Sequence, residues 1–342
     1  MSSMLGRYSK SVYNFNKLKV VWKVRNYHVS SIVLKSAATA TNDTGTAQPF
    51  GIDTTIENNK KTETNRLSKT LTKFWDKVSY HYDETSGKYL IQLDSKTINT
   101  PMGNLLAVDK NKKMLALMLS NEWKNLPNLS IKKYSLPLTS LTSRCIDLEA
   151  VNKNGNLDDI VKFNGDRNKI INDLLRYLDT DTLLVFSPAS EFEGALRKEQ
   201  NKLYLPVIDS IENFLTEFAN DPIKLNILDA DIHGLRGNQQ DLNTKEAAKK
   251  YLESLSYWDL AIFEKIVLTT KSFICGILLL QGKSNSVNKL ALEYNVEDIV
   301  RYATLETIHQ VDRWGEVEDT HDVDKRDIRR NVNAAAVVAY NA

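Results

Sequence analysis

The hydrophobic pattern of this chain changes its period at Pro137. Between Phe74 and Pro137, most segments are short and alternate apolar with polar residues, as half-buried strands do. Beyond Pro137, apolar residues recur every three to four positions over long stretches, which is typical of helices. We therefore predict an α+β fold with a small mixed α/β domain of antiparallel strands over residues 66–140. A mostly α-helical domain should follow over residues 141–342.

Individual elements follow from the same periods. Two alternating segments flank the turn at residues 85–88 and predict a β-hairpin. Further strands are expected at residues 105–108 and 131–134, with brief ones at 183–186 and 223–228, and a helix is expected at 112–125. Beyond Pro137 we predict helices over 140–151, 157–178, 193–218, 244–255, 257–280, 287–294 and 296–313.

The first 42 residues contain no acidic side chain, although basic residues are interleaved there with aromatic and aliphatic ones. This composition is typical of a mitochondrial transit peptide, and the alternative is a disordered basic arm on a cytosolic protein. We expect the mature protein to begin between about Tyr27 and Asp43, which N-terminal sequencing would test. Residues 43–65 are polar and without period, so they are predicted to form a linker.

Charge and cysteine content exclude several classes of function. The formal net charge is only +2, without a basic stripe on a predicted folded domain, so no nucleic-acid partner is expected. Cys145 and Cys275 are far apart and lack zinc-ligand spacing. The most apolar run, residues 272–280, is less than half the roughly 20 residues that span a bilayer. We predict no stable membrane insertion.

Two motifs resemble known sites for cofactors without matching them. Five residues separate Gly276 from Gly282, whereas a phosphate-binding loop has four, so we expect Gly282 to end a helix. Glu306-x-x-His309 and Glu318-x-x-His321 have the spacing of a carboxylate-bound metal pair. A helix break between the two pairs prevents them from facing each other in a bundle. No cofactor is predicted, and the alternative is a matrix metal-dependent enzyme that uses these four residues.

Several stretches, in the same order as in the family, resemble the mitochondrial and α-proteobacterial assembly chaperones of ATP synthase. They cover about residues 70–335 and are Lys73-Phe74-Trp75, Leu93-Asp94-Ser95-Lys96, Thr100-Pro101-Met102-Gly103-Asn104, Asn121-Glu122-Trp123, 136–141 with Ile146-Asp147, 176–183, Leu305-Glu306 with Gln310, Trp314-Gly315 and 317–322. The chain departs from the family pattern at Leu126 and at residues 204–206. The role of residues 200–209 is therefore left open.

The resemblance implies a monomeric matrix protein with no catalytic activity. It implies that the protein binds the unassembled alpha subunit of the catalytic head and keeps it from aggregating until beta subunits replace it. It also implies a two-domain fold with one mixed α/β and one helical domain, in agreement with the periods of the sequence.

The candidate partner surface lies on the predicted helix 296–313 and in the acidic turn after it. Val300, Ala303, Leu305, Ile308 and Val311 share one face, whereas Tyr302, Glu306, His309, Gln310 and Arg313 share the opposite, polar face. Gly315 should end the helix. The residues predicted to bind the partner are Glu306, Gln310, Arg313, Trp314, Glu318, Asp319, His321 and Asp322. A buried Trp314 ring would instead belong to the junction between helix and turn.

Overall fold

The computed structural model describes residues 73–126, 135–234, 237–282, 290, 292–317 and 321–340, and the side chain of Asp322 is outside that description. The predicted transit peptide, the linker and the strand at 131–134 lie outside the described residues. So do residues 287–289 and 291 of the predicted helix 287–294, whose described residues, 290 and 292–294, are not helical. The assignment of residues 66–140 and 141–342 to two domains stays a prediction.

The strands form a small sheet around one hairpin. Strand β1 (Val78–Asp83) pairs antiparallel with β2 (Lys88–Leu93), and the predicted hairpin is thereby confirmed. The carboxylate of Asp83 accepts hydrogen bonds from the backbone N–H groups of Thr85 and Ser86, which fixes the turn. Two shorter strands, β3 (Lys96–Thr97) and β4 (Ala107–Asp109), also pair antiparallel with β2. Strand β4 thus begins two residues after the predicted start.

Eleven α-helices lie in the described part of the chain. They are α1 (Lys113–Lys124), α2 (Pro137–Asn154), α3 (Leu157–Phe163), α4 (Arg167–Asp179), α5 (Ala195–Thr216), α6 (Ala230–His233), α7 (Leu242–Ser254), α8 (Tyr257–Thr270), α9 (Phe273–Gln281), α10 (Val296–Trp314) and α11 (His321–Ala339). A parallel pair of two-residue strands, β5 (Val185–Phe186) and β6 (Leu228–Asp229), lies among them.

Two predicted long helices are each divided in the structure. The predicted helix 157–178 breaks after Phe163, because Asn164 adopts a left-handed conformation and Asp166 caps a new helix. The predicted helix 257–280 breaks in the same way at Lys271, which also has a positive φ, before the Ser272 side chain caps α9. Lys271 carries no stop signal in the sequence, whereas Asn164 is followed by Gly165 and Asp166, a helix-ending signal that the helical period outweighed in the prediction.

Helix α11 was missed altogether, because its first half is charged and its buried side chains are small. Val332, Ala335 and Val338 are buried, and the helix packs against α2, α8 and α10. The segment after Trp314 was predicted to be an acidic turn, and helical backbone in fact begins again at His321. Small side chains allow the helix backbones to approach closely without forming a strong hydrophobic pattern.

The core contains two groups of buried side chains. The larger group extends from Ile91 in the sheet to Ala339 in α11. Within it, a Cβ atom at Gly276 would lie 2.6 Å from the Phe263 ring, so helices α8 and α9 require a glycine at their crossing. Helix α9 ends before Gly282, which confirms that the Gly-Lys-Ser stretch begins at a helix end.

The smaller group contains Trp75, Leu93, Trp123, Leu126 and Leu136, so the two tryptophans are core residues. Among the described residues, no helix is both long enough and apolar enough to cross a membrane.

Arg144 and Asp147 bind different parts of the fold and not each other. The carboxylate of Asp147 is fully buried and accepts hydrogen bonds from Thr100 and Asn104, the latter at 2.7 Å. Arg144 instead pairs with Glu264 of α8. Helix α2 is therefore held to the loop between β3 and β4 on one side and to α8 on the other.

Candidate partner-binding surface

Helix α10 carries the predicted surface, and both of its ends are specified locally. At the start, the Asn295 side chain accepts from the backbone N–H groups of Glu297 and Asp298, and the Asp298 carboxylate accepts from the backbone N–H of Asn295. At the end, Gly315 takes a φ of 86°, and its N–H donates to the Val311 carbonyl at 2.8 Å. The predicted stop at Gly315 is confirmed.

The buried face of α10 is wider than predicted. Val300 and Leu305 are buried as expected. Tyr302, which was assigned to the polar face, is also buried, and its backbone carbonyl accepts a hydrogen bond from the Tyr204 hydroxyl at 2.8 Å. The reason is that α5 packs against this side of α10, so the Tyr302 and Tyr204 rings meet edge to face.

His309 is occupied by a contact within the protein and is not free on the polar face. Its Nε2 atom lies 2.8 Å from the Glu199 carboxylate of α5, and only 14% of its side chain is exposed. Arg301 binds the same carboxylate. Burial favours a raised pKa for Glu199, but the hydrogen bonds from His309 and Arg301 outweigh it and lower the pKa. This cluster holds α10 against α5.

Glu306 and Gln310 are the next polar residues along α10. Glu306 is exposed, and one of its carboxylate oxygens accepts from the Gln310 side chain at 2.9 Å. The two residues are one turn apart, and Trp314 follows Gln310 at the same interval, so the three form one stripe along the helix. The exposed Glu306 carboxylate therefore lies on the same side of the helix as Trp314, two turns before it.

Trp314 is exposed, not buried at the junction. Its side chain is 69% exposed, and its ring lies against Phe192 with 5.3 Å between ring centroids. The Arg313 guanidinium also lies over the Phe192 ring, 5.9 Å from its centroid. It is 3.9 Å from a carboxylate oxygen of Glu193. An aromatic pair with charged neighbours therefore lies at the C-terminal end of α10.

Phe192 was not predicted from the sequence, because it lies more than 120 positions before Trp314. It belongs to a short 3-10 helix, Glu191–Gly194, in which Phe192 and Glu193 have φ values of 48° and 56°. Such a conformation is unfavourable for side chains with a Cβ atom, and it is often found at functional sites. The one local signal was a phenylalanine between two glutamates directly before a glycine.

We call Phe192, Glu306, Gln310, Arg313, Trp314 and Val317 the Trp314 surface. Val317 extends it beyond Gly315 with a side chain that is also exposed. Of the other predicted partner-binding residues, His321 is half-buried, and its Nδ1 lies 3.4 Å from the Val317 backbone nitrogen. Glu318, Asp319 and the Asp322 side chain lie outside the described residues, so their assignment stays a prediction.

The described residues do not assemble a metal site from the first Glu-x-x-His pair. No group of three or more His, Cys, Asp or Glu side chains with metal-binding geometry occurs in the part of the chain that the structure describes. Within the pair, Glu306 contacts Gln310, whereas His309 contacts Glu199.

Comparison with known proteins gives consistent matches. Residues 72–212 match the sequence profile of a family described as ATP12 chaperone protein. The chain is 61% identical over 297 residues to Protein ATP12, mitochondrial, of Saccharomyces cerevisiae, covering 86% of this chain and 91% of that protein. It is 33% identical over 267 residues to Protein atp12, mitochondrial, of Schizosaccharomyces pombe, covering 78% and 81%.

Among solved structures, the fold is similar to that of Atp12 from Paracoccus denitrificans. The TM-score is 0.55 at 20% sequence identity, and the match covers 79% of this chain and 99% of the bacterial one. This likeness confirms the predicted fold class, a small antiparallel strand region followed by a mostly helical part.

Proposed function

This chain belongs to the ATP12 chaperone family, and we propose on that basis that it assists assembly of the catalytic head of mitochondrial ATP synthase. In this proposal it binds the unassembled alpha subunit without using ATP and prevents its aggregation until the alpha/beta hexamer forms. The fungal relatives are named as mitochondrial proteins, and the acid-free first 42 residues fit import into the matrix.

The observation that carries the proposal is the exposed Trp314 ring. A tryptophan with 69% of its side chain in solvent leaves most of a large apolar surface uncovered. Tryptophan and arginine are the residues most enriched at the energetic centres of protein interfaces. Here Arg313 and Trp314 both lie on Phe192, so the centre is preformed before a partner arrives.

The charged neighbours of that ring fit the rim of an interface. Glu306 is exposed along the same stripe of α10, and Glu316 is exposed after Gly315. Charged rims contribute orientation and partner choice more than affinity. We propose that Glu306, Gln310, Arg313 and Trp314 contact the alpha subunit, together with Glu318, Asp319, His321 and Asp322 of the acidic segment.

The physical task of such a chaperone agrees with this surface. A subunit outside its complex exposes apolar and strand-edge surface that is buried after assembly, and such surface aggregates. A protein that covers this surface needs an apolar centre and a polar rim, but it needs no bound nucleotide or metal. We therefore propose a non-enzymatic role, in which Glu306 acts through its charge at the rim.

Two measurements test this proposal. The alpha subunit should stay in the supernatant when it is produced together with this protein and should sediment when it is produced alone. Tagged protein should also recover the alpha subunit from matrix extract, as identified by mass spectrometry. Sedimentation of the alpha subunit to the same extent in both cases would contradict the proposal. About one transition metal per chain after dialysis would instead favour the metal-dependent alternative.

A further inference from the structure

Helices α2, α8 and α11 line a cavity that is open to solvent on one side and separate from the Trp314 surface. Its volume is about 520 Å³, and both apolar and charged side chains line it. The charged lining residues are Arg144, Glu264, Lys265, Asp327 and Arg330. Three positively charged side chains thus share the cavity with two carboxylates, so the lining has an excess of one positive charge.

The first ion pair is complete. Arg144 donates from two guanidinium nitrogens to the two carboxylate oxygens of Glu264, at 3.0 and 3.1 Å. Two of its remaining donors reach the backbone carbonyls of Phe163 and Asn164. These bonds use four of the five N–H donors of Arg144, and its charge is already balanced by the bidentate pair with Glu264.

The second ion pair is incomplete. Arg330 donates to one oxygen of Asp327, and the other oxygen of that carboxylate accepts from the Asn331 side chain at 2.9 Å. The Nε–H group of Arg330 is buried and has no hydrogen-bond partner. A buried donor without a partner is unfavourable by about 1 to 3 kcal/mol.

The third cation, Lys265, has no carboxylate within ion-pair distance among the described residues. Its side chain is half-buried on α8. Burial lowers its pKa, the nearby Arg330 charge lowers it as well, and Asp327 offsets only part of the effect. The cavity therefore contains one unbalanced positive charge beside one unused N–H donor.

We propose that this cavity is a binding site for an oxyanion, such as a phosphate or carboxylate group, held by Lys265 and Arg330. Oxygen acceptors would satisfy the Arg330 Nε–H group and balance the Lys265 ammonium, and charge-assisted hydrogen bonds of this kind are the stronger class. Leu141 and Leu268 line the same cavity and can pack against an aliphatic stem. The group can belong to a free anion or to an acidic side chain of another protein.

Titration calorimetry on the full chain tests the proposal without the alpha subunit, so its outcome is independent of the proposed chaperone role. The probes are sodium phosphate and N-acetylglutamate amide, each against sodium chloride of equal ionic strength. We expect binding of at least one probe, weakened about tenfold or more in Lys265→Met, which keeps most of the apolar stem. Lys250→Met is the matched control, because Lys250 is an exposed helical lysine that does not line this cavity.

The pattern of binding identifies the source of the group. Binding of phosphate alone indicates a free anion, binding of the glutamate derivative alone indicates an acidic side chain, and binding of both supports the shared chemistry. Absence of binding by both probes, or equal binding by Lys265→Met and the parent, would overturn the proposal.

A measurement on the parent protein keeps the test valid if Lys265→Met does not fold. An amine-reactive reagent followed by mass spectrometry should modify Lys265 at least about tenfold more slowly with the bound probe than with chloride, since a bound anion covers the ammonium. The rate at Lys250 should not change. Equal protection at both lysines would contradict the proposed site.

Discussion

Two aromatic pairs in this protein have the same separation and opposite environments. Trp75 and Trp123 lie with 5.3 Å between ring centroids, and only 2% and 9% of their side chains are exposed. Trp314 lies 5.3 Å from Phe192, but 69% of its side chain is exposed. Pair geometry therefore does not distinguish an aromatic contact that holds the fold from one that is available to a partner. Exposure does.

The surroundings of the two pairs explain the difference. The Trp123 indole N–H donates to the Thr139 hydroxyl at 2.9 Å, and Glu122 accepts from the backbone N–H groups of Leu138 and Thr139 at the start of α2. The buried pair is thus part of a network that joins two helices. In the other pair Trp314 is exposed, whereas Phe192 is half-buried against the larger core group and has the Arg313 guanidinium over its ring.

The largest effect is expected from the buried pair. Trp75→Ala should lower the free energy of unfolding by about 3 to 5 kcal/mol, because truncation of a large buried aromatic leaves a cavity. Urea unfolding followed by circular dichroism measures this change. Phe74→Ala is the control, since Phe74 is the neighbouring aromatic residue and is 72% exposed. Equal losses for the two variants would refute the distinction by exposure.

A pH effect of its own is expected from Glu122, which lies in the network of the buried pair. Burial raises the pKa of Glu122, and hydrogen bonds from Thr139 and Leu138 offset this only in part. Protonation of Glu122 therefore favours the folded state. Its contribution to the free energy of unfolding should increase as the pH falls from 7 toward the ordinary value near 4.5, and it should be lost as the pH rises through the folded pKa.

The measurement is denaturant unfolding at several pH values for the parent and Glu122→Gln, which removes the titration. The stability of the parent relative to this variant should increase toward acidic pH. A difference that stays constant over that range would show that Glu122 has the same pKa in the folded and unfolded states.

The smallest effect on stability is expected at Trp314. Trp314→Ala should change the free energy of unfolding by no more than about 0.5 kcal/mol, because little of the ring is buried by the fold. The same urea experiment measures it. A loss comparable to that of Trp75→Ala would mean that the contact with Phe192 stabilises the fold and would remove the main support for a partner surface.

The sequence was informative where the structure depends on local periodicity and on end signals. The hairpin, the helix end at Gly282 and the stop at Gly315 were all predicted correctly. The helix break at Asn164 was missed although Asn164-Gly165 is a turn signal, and the break at Lys271 was missed because a lysine there adopts a left-handed conformation. A side chain that closes a helix in this way does so in a tertiary context that periodicity does not report.

The candidate site was predictable along the helix but not across it. Glu306, Gln310, Arg313 and Trp314 lie together on α10, as the helical repeat requires. Phe192, which contacts Trp314, and Glu199, which contacts His309, lie earlier in the chain and meet α10 only because the chain returns to the same region. For the same reason Tyr302 and His309 were wrongly assigned to the exposed face. No pattern within one helix shows which polar residues a distant helix will cover.

The most direct test of the central claim is the affinity of purified alpha subunit for the parent and for Glu306→Lys. We expect Glu306→Lys to melt like the parent, since an exposed helical glutamate contributes little to stability. It should bind about thirtyfold or more weakly, because loss of one member of an interfacial charge contact weakens binding by about 2 to 5 kcal/mol. Glu306→Ala should lie between the two, and Glu246→Lys, an exposed glutamate on α7, should bind like the parent. If Glu306→Lys folds and binds the alpha subunit as tightly as the parent does, Glu306 is not part of the partner surface and the account given for α10 is wrong.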